Sequence, residues 1–205
     1  MMAQAAVGLQ VHVTALVESA TSSTAQVVPD AVVGRADDPQ ALRALAESAD
    51  VLTFEHEHVP NAVLTDLRAA GHAVEPGPDA LVHAQDKVVM RRRLEDLGVP
   101  CPRWREAAGV EDVLAFGDDV GWPVVVKTPR GGYDGKGVRV LERAEAQAWD
   151  LDWSWPVLCE EKVPFTRELA VLVSRTPSGE VRTWPVLQTI QRGGVCAEVL
   201  SPHPT

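Results

Sequence analysis

Aromatic residues, cysteine and positive charge are all scarce in this 205-residue sequence. Phe, Trp and Tyr make up 5% of the chain, and 19 Lys and Arg residues stand against 29 Asp and Glu, giving a net charge of −10. This balance argues against nucleic acid as the main partner, because a phosphate backbone requires a basic face. It is compatible with a local basic site for a nucleotide. No apolar run approaches the ~18 residues that a membrane-spanning helix needs.

The cysteines Cys101, Cys159 and Cys196 are odd in number and lack the spacing of a metal site. They are typical of reduced thiols rather than of a disulfide framework. The start of the chain, through Val7, lacks the basic region and long apolar core of a secretory signal peptide. The predicted location is therefore cytoplasmic.

The first part of the chain alternates between β-rich runs and helical segments. Strands are predicted at Val11–Val17, Ala31–Gly34 and Asp50–Phe54, which are rich in β-branched residues. Helices are predicted from Asp38 through Ala49, where an aspartate precedes a proline, and from Pro60 to Ala70. Strands alternating with helices predict a parallel, doubly wound α/β sheet.

A longer helix is predicted from Ala84 to Leu97, with three arginines near its end, and Gly98 follows it as a stop signal. A proline-containing linker then leads to a second unit of mixed helices and strands. Its predicted helices are 111–116 and 143–149, and its predicted strands are 123–127, 137–141, 157–163, 169–175, 181–190 and 195–200.

Both ends of the sequence are expected to be incomplete. Met1 to Gly8 resembles the end of a helix, whereas a parallel α/β domain begins with a strand. At the other end, the last predicted strands would leave an unpaired sheet edge with no closing helix.

A glycine-rich loop lies between two of the predicted strands. The first strand ends at Lys127, four glycines and Lys136 follow, and a β-branched run begins at Val138. Backbone amides that carry no side chain can close over a polyanion, and the two lysines can neutralise it. The pattern therefore indicates a triphosphate site.

Two other phosphate motifs do not match this loop. A Walker A loop requires glycine where Arg130 stands, a hydroxyl residue where Gly137 stands, and a helix afterwards. A dinucleotide fingerprint also requires a helix at this point. A long hairpin loop made soluble by glycine and charge remains an alternative.

The segment Phe54-Glu-His-Glu-His58 follows a predicted parallel strand, where ligands of open α/β sheets bind. His56 and His58 share a strand face, so a metal site is one interpretation. A substrate-contacting loop and a plain polar strand end are the others, because no third and fourth ligand is identifiable.

Acidic residues end another predicted strand. Glu160 and Glu161 point to opposite faces of that strand, so only one can face a given cleft. The backbone around Lys162 and Val163 could pair with a flat heterocycle, and Glu168 could reach a ribose hydroxyl. The alternative for these acids is solvated strand ends. For Lys87, near a helix start, a phosphate partner and an exposed lysine both remain open.

Several of these features occur in the order and approximate spacing of the ATP-grasp superfamily: Asp86-Lys87, Leu97-Gly-Val-Pro100, Val126-Lys127, Gly131 to Gly137, Glu160-Glu161 and Glu168. Within it, further details resemble the 5-(carboxyamino)imidazole ribonucleotide synthetases of bacterial purine biosynthesis. These details are Thr53-Phe-Glu-His-Glu-His58, His83-Ala-Gln-Asp-Lys87, the Gly-Gly-Tyr-Asp-Gly-Lys-Gly137 loop, and Pro185-Val-Leu-Gln-Thr-Ile-Gln-Arg192.

The resemblance implies an α/β, ATP-grasp fold: a Rossmann-like domain over residues 1–83 that lacks its first strand, a linker helix and lid subdomain over 84–163, and part of the large subdomain over 164–205. It implies an ATP-dependent ligase, commonly a homodimer, that carboxylates aminoimidazole ribonucleotide with bicarbonate through carboxyphosphate.

The resemblance also implies roles for individual residues. Phosphate ligands of ATP are Lys87 and Lys127, and the mobile lid over them is Gly132, Tyr133, Asp134, Gly135, Lys136 and Gly137. The adenine hinge is Glu160, Glu161, Lys162 and Val163, with Glu168 at the ribose and Gln191 near the nucleotide. Aminoimidazole ribonucleotide faces Glu55, Glu57, Tyr133, Asp134 and Lys136. The catalytic set is Lys127, Asp134 and Lys136.

No residue of this chain is assigned to metal. Ligands for Mg²⁺ and bicarbonate are expected in a C-terminal region that the sequence lacks, so we expect these residues alone to be weakly active or inactive. Other ATP-grasp ligases that use formyl or biotin-linked substrates, and a non-catalytic nucleotide-binding module, are the alternatives. A Rossmann-like dehydrogenase fits the sequence poorly.

Overall fold

The computed structural model describes residues 2–133 and 135–201. The chain divides into two compact units, Met1–Met90 and Arg91–Thr205. The division predicted from the sequence, with boundaries after residues 83 and 163, stays a prediction. No helix in the described part of the chain is both long and apolar enough to cross a bilayer.

The first unit alternates helices with short strands. Its elements are α1 (Met2–Leu9), β1 (Ala15–Val17), α2 (Ser23–Val27), β2 (Ala31–Val33), α3 (Pro39–Glu47), α4 (Asn61–Ala69), α5 (Pro78–Gln85) and α6 (Lys87–Asp96), the last of which runs on past residue 90. Strands β1 and β2 pair in parallel, as the alternating pattern predicts. The predicted strand from Val11 is shorter, and α2 and α5 were not predicted.

Local signals set α3 at its predicted place. The Asp38 carboxylate accepts a hydrogen bond from the Gln40 amide at 2.9 Å, and Pro39 occupies the first turn. The aspartate accepts a hydrogen bond from an amide that a helix start leaves without a partner, and the proline has no amide hydrogen that needs one. The helix buries Leu42 and Ala46 against a core that also contains Leu52, Val59, Leu64, Leu67, Val74 and Leu81.

The predicted strand at Asp50–Phe54 is wrong. Only Leu52 pairs, in a single parallel bridge to Val74, with backbone hydrogen bonds of 2.9 Å to Ala73 and from Glu75. Pro76 follows directly and has no backbone N–H, so it cannot extend the ladder.

The predicted helix at Ala84–Leu97 is also divided. Asp86 is extended, with φ −130° and ψ 111°. Its carboxylate accepts hydrogen bonds from the amides of Val88 at 3.0 Å and Val89 at 3.1 Å. Because aspartate is a strong N-cap, it ends α5 and starts α6 at Lys87.

The second unit is built from antiparallel sheets. Its further elements are β3 (Trp104–Ala107), α7 (Val110–Val120), β4 (Val124–Lys127), β5 (Val138–Leu141), α8 (Arg143–Ala148), β6 (Val157–Glu161), β7 (Glu168–Ala170), β8 (Val173–Arg175), β9 (Val181–Thr183), β10 (Leu187–Arg192) and β11 (Val195–Leu200). One sheet has the order β3-β6-β4-β5, another β11-β10-β7, and β8 pairs with β9. Strand β3 was not predicted.

The four-stranded sheet is covered on one face by α7 and α8. Its core combines Phe116 and Val113 of α7 with strand residues such as Val124, Val126, Val157 and Cys159. Four tryptophans, Trp122, Trp149, Trp153 and Trp155, pack against this core. The rings of Trp149 and Trp155 stack with centroids 4.4 Å apart, which adds to the stabilisation that their burial gives.

Two strands predicted as single runs are each divided between sheets. The run 169–175 separates into β7 and β8, and the run 181–190 separates into β9 and β10. Pro185 lies between β9 and β10, where it offers no ladder N–H. β7 pairs with β10, and β8 pairs with β9. The chain therefore leaves one sheet after β7 and returns to it after β9.

Candidate functional site

The face of the four-stranded sheet opposite α7 carries the charged residues of the candidate site. Along β4, Val124 and Val126 belong to the core on the α7 side. Because side chains alternate along a strand, Val125 and Lys127 project from the other face. The register places Val125 opposite Glu160 and Lys127 opposite Leu158. Lys127 and Glu160 are therefore diagonal neighbours on one face.

Glu160 is the centre of a buried ion cluster. One of its carboxylate oxygens accepts a hydrogen bond from Arg91 Nε at 2.5 Å, and the other accepts from the Lys127 ammonium. The side chains are 15% exposed for Arg91, 4% for Glu160 and 23% for Lys127. Two cations thus share one buried carboxylate.

The ionisation of Glu160 follows from this geometry. Burial by itself raises the pKa of the carboxyl group, but the hydrogen bonds from Arg91 and Lys127 outweigh burial and leave that pKa below its ordinary value. Glu160 is therefore ionised at neutral pH, and the cluster carries a net charge of one positive unit.

The neighbouring Glu161 projects from the opposite face of the sheet, where it contacts Arg103. Arg103 binds it twice, through its backbone N–H at 3.0 Å and through Nε at 3.2 Å. Arg103 also lies 3.5 Å from Asp119 of α7. Glu160 and Glu161 therefore point to opposite sides of β6, as their adjacent positions predict.

Cys159 projects from β6 on the α7 side of the sheet and is fully buried in the core there. Burial raises the pKa of its thiol to about 12. Because a thiolate is the reactive form of cysteine, this side chain is not a nucleophile at neutral pH.

The glycine loop follows β4 directly, as predicted. Its base is closed by a hydrogen bond of 2.9 Å from the Thr128 amide to the Gly137 carbonyl, and its tip by one of 2.8 Å from the Lys136 amide to the Tyr133 carbonyl. The Lys136 ammonium donates to the Tyr133 hydroxyl at 3.0 Å and lies 4.6 Å from the ring centre. The Tyr133 ring is exposed. Asp134 lies outside the described residues.

The tip of the loop meets the turn between β10 and β11. A Cβ at Gly135 would lie 3.2 Å from the Cα of Gly194. The two backbones therefore approach each other closely, which glycine permits because it has no side chain.

Gly132→Ala should open the glycine loop, whereas Gly131→Ala should leave it closed. Both residues have positive φ values, 81° and 67°, so alanine costs each about 1–2 kcal/mol. A Cβ at Gly132 would also lie 2.4 Å from the Lys136 carbonyl oxygen, whereas no described atom lies within 4 Å of one at Gly131. Overpacking should add roughly 1–3 kcal/mol at Gly132 alone.

Limited trypsin digestion measures this difference, because cleavage after Lys136 follows the population of open loops. Faster cleavage in Gly132→Ala than in Gly131→Ala is the expected result. Equal rates would show that the loop does not hold this closed shape.

In the first unit, the polar segment 54–58 and the segment 83–87, both noted in the sequence, lie in contact. The Gln85 side-chain amide donates hydrogen bonds of 2.8 Å to the carbonyls of both Glu57 and Val59. These bonds fix the polar segment after Phe54 against the end of α5. Glu55 is exposed and Glu57 half-buried.

The rings of His56 and His58 lie 5.3 Å apart and tilted. Within residues 2–133 and 135–201, no group of three or more His, Cys, Asp or Glu side chains is arranged so that it could hold a metal ion. We therefore assign no metal ligand to the described chain.

The remaining predicted residues occupy the ends of strands and helices. Lys87 is the first residue of α6 and half-buried; Lys162 and Val163 follow the end of β6 and are exposed. Glu168 begins β7 opposite Thr189, and Gln191 lies opposite Cys196 at an irregularity in β10. Their roles stay predictions.

Comparison with known protein families agrees with this arrangement. Residues 92–205, more than half of the chain, match the ATP-grasp domain. The chain belongs to the ATP-grasp family. Residues 1–85 match the preATP-grasp domain of ribonucleotide synthetases. The predicted ATP-grasp fold is thereby confirmed, with a parallel α/β unit followed by antiparallel sheets.

The chain is also similar to curated proteins and to solved structures along nearly its whole length. An N5-carboxyaminoimidazole ribonucleotide synthase from Mycobacterium bovis is 48% identical over 98% of this chain and 48% of its own length. The chain thus spans about half the length of the curated relatives it matches.

Two structures are also similar. The synthetase from Thermus thermophilus has a TM-score of 0.88 and 30% identity, covering 100% of this chain and 55% of that one. The synthase from Aspergillus clavatus, in complex with ADP and 5-aminoimidazole ribonucleotide, has a TM-score of 0.81 and 25% identity, covering 97% and 52%.

Two residues of this ATP-grasp chain were missed in the sequence. Arg91 was noted only as one of three arginines, and Gln85 only as part of a motif. For Arg91, the available sequence signal is the apolar Val88 one turn earlier, which the structure buries. Residues three or four apart share a helix face, so Val88 indicates that Arg91 lies on the buried side of the helix. It does not distinguish Arg91 from Arg92.

Proposed function

We propose that the protein of which these residues form part is an ATP-dependent ligase that carboxylates 5-aminoimidazole ribonucleotide to 5-(carboxyamino)imidazole ribonucleotide in purine biosynthesis. One observation carries the proposal: the partly exposed Lys127 ammonium lies beside Glu160 at the start of a closed glycine loop. The similarity to N5-carboxyaminoimidazole ribonucleotide synthases over 98% of the chain supports the choice of reaction.

The residues fit a nucleoside triphosphate. Lys127 and the amides of Gly132, Gly135 and Gly137 would bind its phosphates, because cations and side-chain-free amides are typical phosphate ligands. Lys87 would add a further cation. The backbone of Lys162 and Val163 lies beyond the ladder of β6, where it would pair with adenine, and Glu168 would hold the ribose with Gln191 near the nucleotide.

A second group of residues would bind the ribonucleotide substrate. Lys136 and Tyr133 form a pair at the tip of the loop, and Lys136 would bind the substrate phosphate. Glu55 and Glu57 would accept hydrogen bonds from the substrate, and Gln85 holds the backbone of Glu57 in place. Asp134 is assigned here as well.

The chemistry requires activation of bicarbonate. ATP supplies a phosphoryl group to a bicarbonate oxygen, which gives ADP and carboxyphosphate; the substrate amine then bonds to the carboxyl carbon and inorganic phosphate leaves. Phosphoryl transfer depends mainly on positioning and charge neutralisation, which Lys127 and Lys136 would provide. The closed loop would exclude water, which protects an intermediate that water destroys.

The proposal also covers the cofactor, the oligomeric state and the cellular compartment. We assign Mg²⁺ as a cofactor without naming ligands for it. A homodimer follows from the family resemblance alone, and sedimentation would test it. All three cysteines are unpaired in the described structure, which supports a reducing compartment such as the cytoplasm.

The decisive experiment joins residue 205 to the C-terminal half of the Mycobacterium bovis relative and measures ADP release in the presence of Mg²⁺. We expect release to require both 5-aminoimidazole ribonucleotide and bicarbonate. Release that is independent of the ribonucleotide, or that a formyl or biotin-linked substrate stimulates instead, would contradict the assigned reaction.

A further inference from the structure

Arg91 contacts the candidate site although no sequence motif points to it. Its Nε binds one oxygen of Glu160 at 2.5 Å, and the Lys127 ammonium binds the other. We infer that Arg91 is a positioning residue, which occupies Glu160 so that Lys127 remains available to a nucleotide phosphate. The inference rests on the proposed role of Lys127 in binding ATP.

The two carboxylate oxygens of Glu160 bind different cations, and this arrangement supports the positioning role of Arg91. The strand register places Lys127 diagonally from Glu160, a separation that a long side chain can span. A hydrogen bond from Arg91 to one oxygen fixes the plane of the carboxylate and aims the other oxygen at Lys127. An ammonium has three donors, so one serves Glu160 and the others can reach a ligand.

Charge gives a second reason. A buried carboxylate with a single cation forms a neutral pair, and a phosphate would have to compete with that carboxylate for Lys127. With Arg91 present, the three side chains carry one net positive charge. A phosphate therefore adds to the cluster instead of disrupting it, because a buried charge is stable only when it is compensated.

The alternative is that Arg91 binds the nucleotide itself and does not act through Glu160. The two roles differ when Glu160 is removed as well. If Arg91 acts through Glu160, it becomes unnecessary once the carboxylate is replaced by an uncharged amide. If Arg91 binds the nucleotide itself, it remains necessary in that background.

Calorimetric titration of the purified chain with ADP tests the inference in four variants: Arg91→Met, Glu160→Gln, the double variant, and Arg92→Met. Arg91→Met should weaken ADP binding about tenfold, the lower range for a charged hydrogen bond. The double variant should bind ADP within about threefold of Glu160→Gln, since coupled residues are not additive.

Arg92→Met is the matched control. It removes the same charge from the same helix, but its partner is Glu106, which is 33% exposed. Its ADP affinity should stay within about twofold of the unchanged chain, as for exposed ion pairs. Circular dichroism of each variant shows whether it is folded.

Three results would overturn the inference: an unchanged affinity in Arg91→Met, an equal loss in Arg91→Met and Arg92→Met, or a double variant that binds ADP more weakly than Glu160→Gln by tenfold. If Arg91→Met does not fold, the comparison of the double variant with Glu160→Gln decides alone, because with Glu160 also replaced no buried carboxylate is left without its arginine partner.

Failure of the proposed function gives a different pattern. The chain would then not bind ADP, or would bind it equally well after Lys127→Ala. Failure of the Arg91 inference alone leaves ADP binding and its dependence on Lys127 intact.

Discussion

Leu158→Ala is expected to lower the free energy of unfolding of the second unit by about 2–5 kcal/mol. Leu158 is fully buried, lies opposite Lys127 in β4 and shares a sheet face with Glu160. Alanine would remove the transfer free energy of the side chain and leave a cavity that a strand within a ladder cannot easily close. The lost packing lies directly beside the ion cluster.

Urea unfolding followed by circular dichroism measures the overall loss, and native-state hydrogen exchange assigns it to β4 and β6. Leu169→Ala is a suitable control, because Leu169 is in the same unit but 55% exposed. It should change stability by no more than about 0.5 kcal/mol. A similar, small effect at Leu158 would show that this face of the sheet is not packed.

Lys127→Ala should weaken ADP and ATP binding, and Lys136→Ala should weaken binding of 5-aminoimidazole ribonucleotide. Each loss should be roughly 1.5–3 kcal/mol, the value of a hydrogen bond to a charged group. Lys127→Ala leaves Glu160 paired with Arg91, so the fold should survive the change. Lys136 lies at the exposed loop tip with Tyr133, where its removal creates no buried cavity.

Calorimetric titration of each variant with ADP and with the ribonucleotide separates the two roles. The two variants act as controls for each other, since each substitution removes one ammonium group beside the same loop. Negligible effects on both ligands, or equal effects of both variants on both ligands, would contradict the assignment.

Local signals in the sequence were sufficient for many elements of the fold. Asp38 and Pro39 set the start of α3 because capping depends on neighbouring residues. The β-branched runs around the glycine loop likewise predicted β4 and β5. Asp86 was misjudged because a single cap residue inside an apolar pattern competes with helix continuation, and only packing decides between them.

The candidate site could be predicted only in part. Lys127 and Glu160 follow from strand pattern and position, and the fold brings them together as diagonal neighbours. Arg91 and Glu160 are 69 residues apart in the sequence, and Gln85 and Glu57 are 28 apart. Such contacts depend on how helices meet strands, which periodicity alone does not reveal.

The placement of the tryptophans has a practical consequence. All six, from Trp104 to Trp184, belong to the unit Arg91–Thr205, and Trp149 and Trp155 stack within it. Intrinsic indole fluorescence therefore reports on that unit only, and melting of Met1–Met90 gives no tryptophan signal. A tryptophan introduced at Phe54, which packs at the edge of the first core, would give each half of the chain its own optical signal.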